Sequence, residues 1–342
     1  MKVIRARAPL RLGLAGGGTD VSPYCDLHGG FVLNATIDRY AYATLTPLAS
    51  SEVRLISTDR QLNESINIAS IDQLGCTLNL HAAVYRHMMA NFNDGTPIPL
   101  ELSTFCDAPP GSGLGSSSTL VVAMIKAFAE LLNLPLGDYD IARLAFRIER
   151  IECGLDGGRQ DQYAATFGGF NFMEFYANEH AIINPLRIKE STLCELEASL
   201  ILFYTGVSRE SAAIIADQRS NVANGDSNAI QAMHQMKQEA LSTKECLLKG
   251  DFEGLTNCMR AGWEGKKRSA RTVSNSVIDQ LYNEALMAGA LAGKVSGAGG
   301  GGFLMFFASP EKRLDVIRAL AKHPGEVSNC HFTTSGSQAW RH

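Results

Sequence analysis

Apolar residues recur along the chain with two different periods. In "IPLELSTFCD", Ile98, Leu100 and Leu102 alternate with Pro99, Glu101 and Ser103, the period of a strand with one buried face. "TLVVAMIKAFAELLNL" is apolar almost throughout and ends before Pro135, which predicts a buried helix. Asp138 is placed to cap the next one, "YDIARLAFRIERIECG", whose Ile141, Leu144, Ala145, Ile148 and Ile151 fall on one helical face. The first ten residues read as an edge strand ended by Pro9. "GFVLNATIDRYAYATLTPL", rich in β-branched and aromatic residues, reads as two paired strands. "SIDQLGCTLNLHAAVYRHMMANF" has helical spacing. "FNFMEFYANEHAIINPL" reads as a hairpin, "LEASLILFYTGVS" as a strand, and Ser211 to Ala292 as mostly helical. The strand "FLMFF", the helix "EKRLDVIRALAKH" and a terminal strand close the chain. Strand and helix do not alternate with one uniform period, so the pattern favours an α+β fold over a doubly wound sheet.

A chain of 342 residues exceeds what one core usually supports, so two domains are expected, with a boundary between Pro185 and Glu195. The formal net charge is -4 and the longest basic run is Lys266-Lys267-Arg268, which argues against nucleic acid as a partner. The eight cysteines are scattered with no Cys-x-x-Cys pair, so we expect reduced thiols in a cytoplasmic protein rather than a disulfide frame or a thiolate metal site. No apolar run approaches the length of a membrane span.

The chemistry gathers around three glycine loops. "PPGSGLGSSST" (Pro109 to Thr119) lies between the predicted strand and the predicted helix. Its glycines let backbone approach an anion, and the helix start offers free N–H groups. No lysine follows Gly115, so it is not a P-loop, and Ser118 stands where the dinucleotide fingerprint needs its third glycine. Ser116, Ser117, Ser118 and Thr119 add hydroxyls for phosphate oxygens or Mg²⁺. Alone, the stretch fits a capped turn equally well. "PLRLGLAGGGTD" (Pro9 to Asp20) and "GKVSGAGGGGFLMFF" (Gly293 to Phe307) are two further glycine loops, and three point to a shared cleft around a polyanion. Between them, Glu149 and Asp161 are separated by Gly154, Gly157 and Gly158, turns that let both carboxylates face one cleft. One carboxylate for Mg²⁺ and one for a hydroxyl is the minimum kit for phosphoryl transfer.

In these stretches the chain resembles the GHMP small-molecule kinases, with all three family motifs in order. The resemblance implies an N-terminal α+β domain of the ribosomal protein S5 domain 2 type with a left-handed crossover, over residues 1–188. It also implies a ferredoxin-like C-terminal domain over residues 189–342, with the active site between the two. By position, Pro110, Gly111, Ser112, Gly113, Leu114, Gly115, Ser116 and Ser117 would hold ATP. Ser117 and Glu149 would hold Mg²⁺, and Asp161 and Arg11 would be catalytic. Gly17, Gly18, Thr19, Asp20, Gly158 and Gly299 would face the sugar. Galactokinases carry Glu-His where this chain has Gly17-Gly18, which argues against galactose and resembles the heptose and fucose branch.

Within that branch, "DQYAATFGGFNFMEFY" (Asp161 to Tyr176), "NPLRIK" (Asn184 to Lys189) and "FYTGVSRESA" (Phe203 to Ala212) resemble the heptose phosphate members, which implies phosphorylation of the anomeric hydroxyl of D-glycero-D-manno-heptose 7-phosphate to heptose 1,7-bisphosphate, on the route to GDP-heptose for surface polysaccharide. A bare-sugar 1-kinase acting on fucose and a non-catalytic sugar- and ATP-binding regulator are the competing readings. The substrate's own phosphate would need a cationic pocket, for which Arg159 and Arg209 are the candidates, with Lys266 to Arg268 behind them. A homodimer is left open, and no membrane partner is expected.

Overall fold

The computed structural model describes residues 2–68, 76–207, 211–270 and 272–342. The first sheet is built from β1 (Ile4–Ala15), β2 (Gly30–Pro47), β3 (Glu52–Ser57), β4 (Leu62–Asn67), β5 (Leu100–Cys106), β6 (Phe170–Phe175) and β7 (Ala181–Pro185). The short α1 (Tyr24–His28) follows β1, and α2 (Asn79–Phe92) connects β4 to β5. The part of the predicted helix before α2 lies mostly outside the described residues. Then come α3 (Ser116–Leu132), α4 (Asp138–Phe146) and α5 (Gln160–Phe167), which line one face of the sheet. Leu102, Val121, Ile125, Phe128, Ile141 and Ala145 are fully buried there.

The second sheet has β8 (Leu200–Tyr204), β9 (Ala290–Val295), β10 (Phe303–Ala308) and β11 (Glu326–Ser328) in the order β11-β8-β10-β9, all antiparallel. Around it run α6 (Glu190–Ser199), α7 (Ser211–Ala223), α8 (Ser227–Lys249), α9 (Phe252–Ser269), α10 (Ser276–Met287) and α11 (Pro310–Leu320). A β-α-β-β-α-β chain order with this strand order is the ferredoxin-like arrangement. The last strand, β12 (Gln338–Arg341), crosses back to pair with β1 in the first sheet.

Several sequence expectations need correction. The first strand is neither an edge nor ended at Pro9: β1 runs to Ala15 between β2 and β12, and its register shifts between Pro9 and Arg11. A bulge is where a proline inside a strand is tolerated. The next two strands are one, β2, whose partner changes along its length from β6 to β5 while β1 follows the other edge. Gly137, not Asp138, caps α4, and the Asp140 carboxylate accepts its N–H at 3.0 Å. Residues Leu196 to Ser199 close α6 before β8 begins, and Ala290 to Ala292 open β9 rather than ending a helix.

The most consequential departure follows α4. Arg147–Glu152 forms a π-helical turn, with the Cys153 N–H reaching the Ile148 carbonyl at 3.0 Å. The extra residue rotates the following side chains out of helical phase. Ile151, expected in the core, is 58% exposed, while Glu149 is fully buried.

Candidate active site

β1 delivers Arg11 just beyond its bulge, at a point where both strand faces are covered, and the residue is 4% exposed. The Arg11 guanidinium donates to Asp161 Oδ1 from Nε at 2.7 Å and lies within 2.6 Å of it through Nη2. Its Nη1 donates to the Gly113 carbonyl at 2.5 Å. The same carbonyl accepts Ser296 Oγ at 3.0 Å. One backbone oxygen therefore ties together β1, the loop before α3 and the loop between β9 and β10.

The glycines are what permit this closeness. Gly113 has φ +82°, and a Cβ there would lie 2.4 Å from the Ser296 carbonyl oxygen. Gly115 has φ +78°, and its Cβ would press on the Asp161 carboxyl carbon at 3.1 Å. The third loop closes back through the Phe303 N–H, which donates to the Ser112 carbonyl at 2.9 Å. Ser112 and Leu114 are buried, Pro110 and Gly111 stand at the exposed rim, and α3 starts at Ser116 with no side chain capping it. Its first-turn N–H groups are thus left for an anion.

Ser117 and Glu149 meet as the motif reading expects. Ser117 Oγ donates to Glu149 Oε1 at 2.8 Å, and Gln162 Nε2 donates to Oε2 at 2.7 Å. Gln162 also donates to Ser118 Oγ, at 3.2 Å, as does Arg150. The buried Glu149 is held by polar partners on both oxygens, which is how an interior carboxylate is retained. The hydrogen-bonding role of Gln162 had a signal in the sequence, its place directly after Asp161.

At the first glycine loop, Gly17, Gly18 and Asp20 line the cleft with Arg11, Asp161 and Gln160. The Asp20 carboxylate is already saturated. It accepts the N–H groups of Gly18 (3.1 Å), Arg159 (2.8 Å) and Gln160 (3.0 Å) and the Gln160 side-chain amide (3.1 Å). Gly158 has no room for a side chain, since its Cβ would fall 2.0 Å from Asp20 Oδ2. Thr19 is buried and pins the turn through the Gly16 and Phe31 carbonyls.

The candidates for the substrate phosphate separate. The Arg159 guanidinium is outside the cleft lining, bound to the Tyr176 carbonyl (2.8 Å), Ser22 Oγ (3.1 Å) and Asp26 (3.0 Å). Arg209 lies outside the described residues. Gly299 is buried against Val273, and Gly297 and Ala298 face the cleft instead. Lys266 does line the cleft, together with Arg150, to which sequence reasoning assigned no site role. Burial, with Lys294 and Arg11 nearby, pushes the Lys266 ammonium well below the usual lysine range.

Beside the phosphate loop opens a second hollow of about 230 Å³. Leu78, His81, Cys106, Ala108 and Leu120 form its walls, and Pro110, Ser116 and Ser117 its border with the loop. His81 donates or accepts across 2.7 Å with Thr104 Oγ1, and burial lowers its pKa to about 4.

Comparison with known proteins gives the family. The family model for the GHMP kinases N terminal domain matches residues 79–169, and the GHMP kinases C terminal model matches residues 243–326. The D-glycero-alpha-D-manno-heptose 7-phosphate kinase of Campylobacter jejuni is 46% identical over the full length of both chains. A crystal structure described as a D-glycero-D-manno-heptose 1-phosphate kinase from Bacteroides thetaiotaomicron superposes with a TM-score of 0.84 at 42% identity, covering 99% of each chain. The galactokinase of Lactococcus lactis, solved with galactose, shares the fold at a TM-score of 0.76 and 18% identity, over 98% of this chain and 95% of that one. With both family models matched in order and a relative this similar from end to end, the chain belongs to the GHMP kinase family.

Proposed function

We propose that the chain transfers the γ-phosphate of ATP to the anomeric hydroxyl of D-glycero-D-manno-heptose 7-phosphate, releasing ADP and heptose 1,7-bisphosphate. The observation that carries the chemistry is the Asp161 carboxylate, held by Arg11 and packed on Gly115 of the phosphate loop. The choice of sugar rests on the likeness to the Campylobacter jejuni kinase along the whole chain.

In this reading the sugar lies against Gly17 and Gly18, and its hydroxyl approaches Asp161. Asp161 orients the hydroxyl and takes its proton as the oxygen–phosphorus bond forms, while Arg11 fixes the carboxylate and balances its charge. Backbone N–H groups at the start of α3 receive the phosphates. The transition state of such a transfer is loose, so positioning contributes more than basicity. Ser117 Oγ and Glu149 Oε1 are hard oxygen donors 2.8 Å apart beside the loop, a pair that fits Mg²⁺. When bound, the ion would neutralise charge on the phosphates. The apolar hollow at Leu78, Ala108 and Leu120 fits the adenine ring.

We place the reaction in the cytoplasm, on the route to GDP-heptose for capsule or other surface polysaccharide. The cysteines are all free thiols, and no described helix is long and apolar enough to cross a membrane. We also take the chain as two domains, 1–188 and 189–342, with residues 338–341 returning to the first sheet.

The test is ATP consumption across a panel of sugars and sugar phosphates, with the product position read by phosphorus NMR. Turnover confined to the heptose 7-phosphate with a new anomeric phosphate is the expected result. Equal turnover on fucose or another bare sugar would keep the kinase and remove the heptose phosphate.

A further inference from the structure

Among the described residues lining the cleft, the second half of the chain contributes one charge, Lys266 of α9. The residue is 5% exposed. Its Nζ donates to the Gly297 carbonyl, and none of the described carboxylates forms an ion pair with it. The charges around it do not balance. Lys294 and Arg11 repel its proton, and Asp20 alone attracts it. Arg11 is neutralised by Asp161, and Asp20 is already satisfied by four N–H donors. Behind the Gly16–Gly17 turn, Lys266 shares a narrow chamber with Lys294 and Glu239. Glu239 is a weak counterion, because burial raises its pKa and its Oε2 has no hydrogen-bond partner. An ammonium kept this dry without a counter-charge is costly to a fold, and a ligand anion would remove the cost.

Two anionic groups enter such a cleft. The triphosphate has its own cradle in the second glycine loop, the start of α3 and the Ser117–Glu149 pair. Lys266 reaches the cleft from α9, with the turn at Gly16 and Gly17 and the Asp20 carboxylate as neighbours, and its Nζ lies on the carbonyl of Gly297, whose backbone packs on Gly113. Arg159, the alternative cation, is spent on Tyr176, Ser22 and Asp26. We propose that Lys266 receives the substrate's own phosphate and so sets the preference for a phosphorylated sugar. This rests on the sugar-phosphate kinase reading given above.

One consequence is a proton. Burial and the nearby Lys294 and Arg11 favour loss of the Lys266 proton in the empty cleft, and a phosphate dianion beside it favours keeping it. At pH 8 the phosphate monoester is already fully ionised, so any Lys266 protonated on binding of the sugar phosphate is read as proton uptake from buffer.

The test compares wild type with Lys266→Met. For each, kcat/KM is measured on heptose 7-phosphate and on the unphosphorylated heptose, with KM for ATP alongside. Proton uptake is read by calorimetry at pH 8 in buffers of different ionisation enthalpy. The expected result is that the preference for the phosphorylated sugar collapses by on the order of 10²-fold, KM for ATP holds, and the uptake disappears. If both sugars suffer equally and KM for ATP rises, Lys266 serves the transferred phosphoryl group and the proposal is wrong, while the kinase stands. If wild type itself shows no preference for the phosphate, the sugar-phosphate reading fails first. Should Lys266→Met not fold, Lys266→Gln is read in the same way, and an unchanged preference for the phosphorylated sugar sinks the proposal.

Discussion

The two walls of the cleft are made of different material. On the wall that we assign to the phosphates, the phosphate wall, backbone touches backbone: a Cβ on Gly113 would meet the Ser296 carbonyl, one on Gly297 would meet Gly113, and the Phe303 N–H donates to the Ser112 carbonyl. On the wall that we assign to the sugar, the sugar wall, side chains from distant elements converge beside the Gly17–Gly18 turn: Asp20 after β1, Gln160 of α5, Gln218 of α7 and Lys266 of α9. A wall of backbone requires glycine at fixed spacing, because any Cβ would collide. A wall of side chains tolerates many residues and changes its charge with one substitution. The first suits a ligand that is common to many reactions, and the second suits the part of the substrate that varies.

Asp161 stands where the walls meet, so its loss has the largest expected effect. Asp161→Asn keeps the size and one acceptor but removes the base and the counter-charge of Arg11. Turnover should fall by about 10²–10⁴-fold, with nucleotide binding little changed in a direct titration. An anomeric hydroxyl is more acidic than an ordinary alcohol, which places the loss toward the smaller end. Near wild-type turnover would remove Asp161 as the base.

Gly113→Ala attacks the phosphate wall alone. Its Cβ would be driven against the Ser296 carbonyl at 2.4 Å, on a backbone with φ +82°. We expect a loss of roughly 2–4 kcal/mol in urea unfolding together with weakened ATP binding. Gly154→Ala is the control: it has φ +66° but nothing within 4 Å, so only the strain of about 1–2 kcal/mol should appear. Equal losses in the two variants would mean that contact between the loops contributes nothing.

This division explains what the sequence disclosed. The three glycine loops were legible together because close backbone approach calls for glycine at fixed places, while the parts of Ser117, Arg11 and Asp161 came from the resemblance to the GHMP kinases. Lys266 left no such pattern: Lys266-Lys267-Arg268 reads as a solvated helix face, and only the packing of α9 against α8, β9 and β1 buries its first member. Glu149 was legible as a carboxylate but not as a buried one, because the π turn that swings it inward has no signature in the apolar spacing. The long β2 misread as two strands has a similar cause. Its partners change halfway along, and a change of partner is a tertiary event that local propensity does not record.

The hollow beside the phosphate wall brings a pH dependence. His81 is neutral in the fold, with its pKa lowered from 6.5 to about 4. Between those values the unfolded chain binds the proton and the fold does not, so stability falls as pH drops through this window. The loss approaches about 3 kcal/mol by pH 4. Thermal melts of His81→Gln should show a shallower decline from pH 6.5 to 4 than wild type, and parallel curves would dismiss the histidine as the cause.

The smallest effect belongs beneath the sugar wall, and it has the opposite sign from most core substitutions. Lys294 is buried, donates to the Leu14 carbonyl at 3.2 Å, and has its pKa lowered from 10.5 to about 8. Burial is the main cause, and Arg11 adds repulsion that Glu239 only partly offsets. Below pH 8 both the folded and the unfolded chain carry the charge, and the fold bears the full cost of burying it. From pH 8 to 10.5 the unfolded chain holds more protons, so this cost shrinks and stability rises with pH. Lys294→Met fills the same space without the charge. At pH 7 it should raise stability by roughly 1–2 kcal/mol, and the gain should fade toward pH 10. A loss at pH 7 would mean that the Lys294–Glu239 attraction outweighs desolvation. The charge under the sugar turn would then be part of what holds the fold, rather than a cost the fold carries so that the cleft stays cationic.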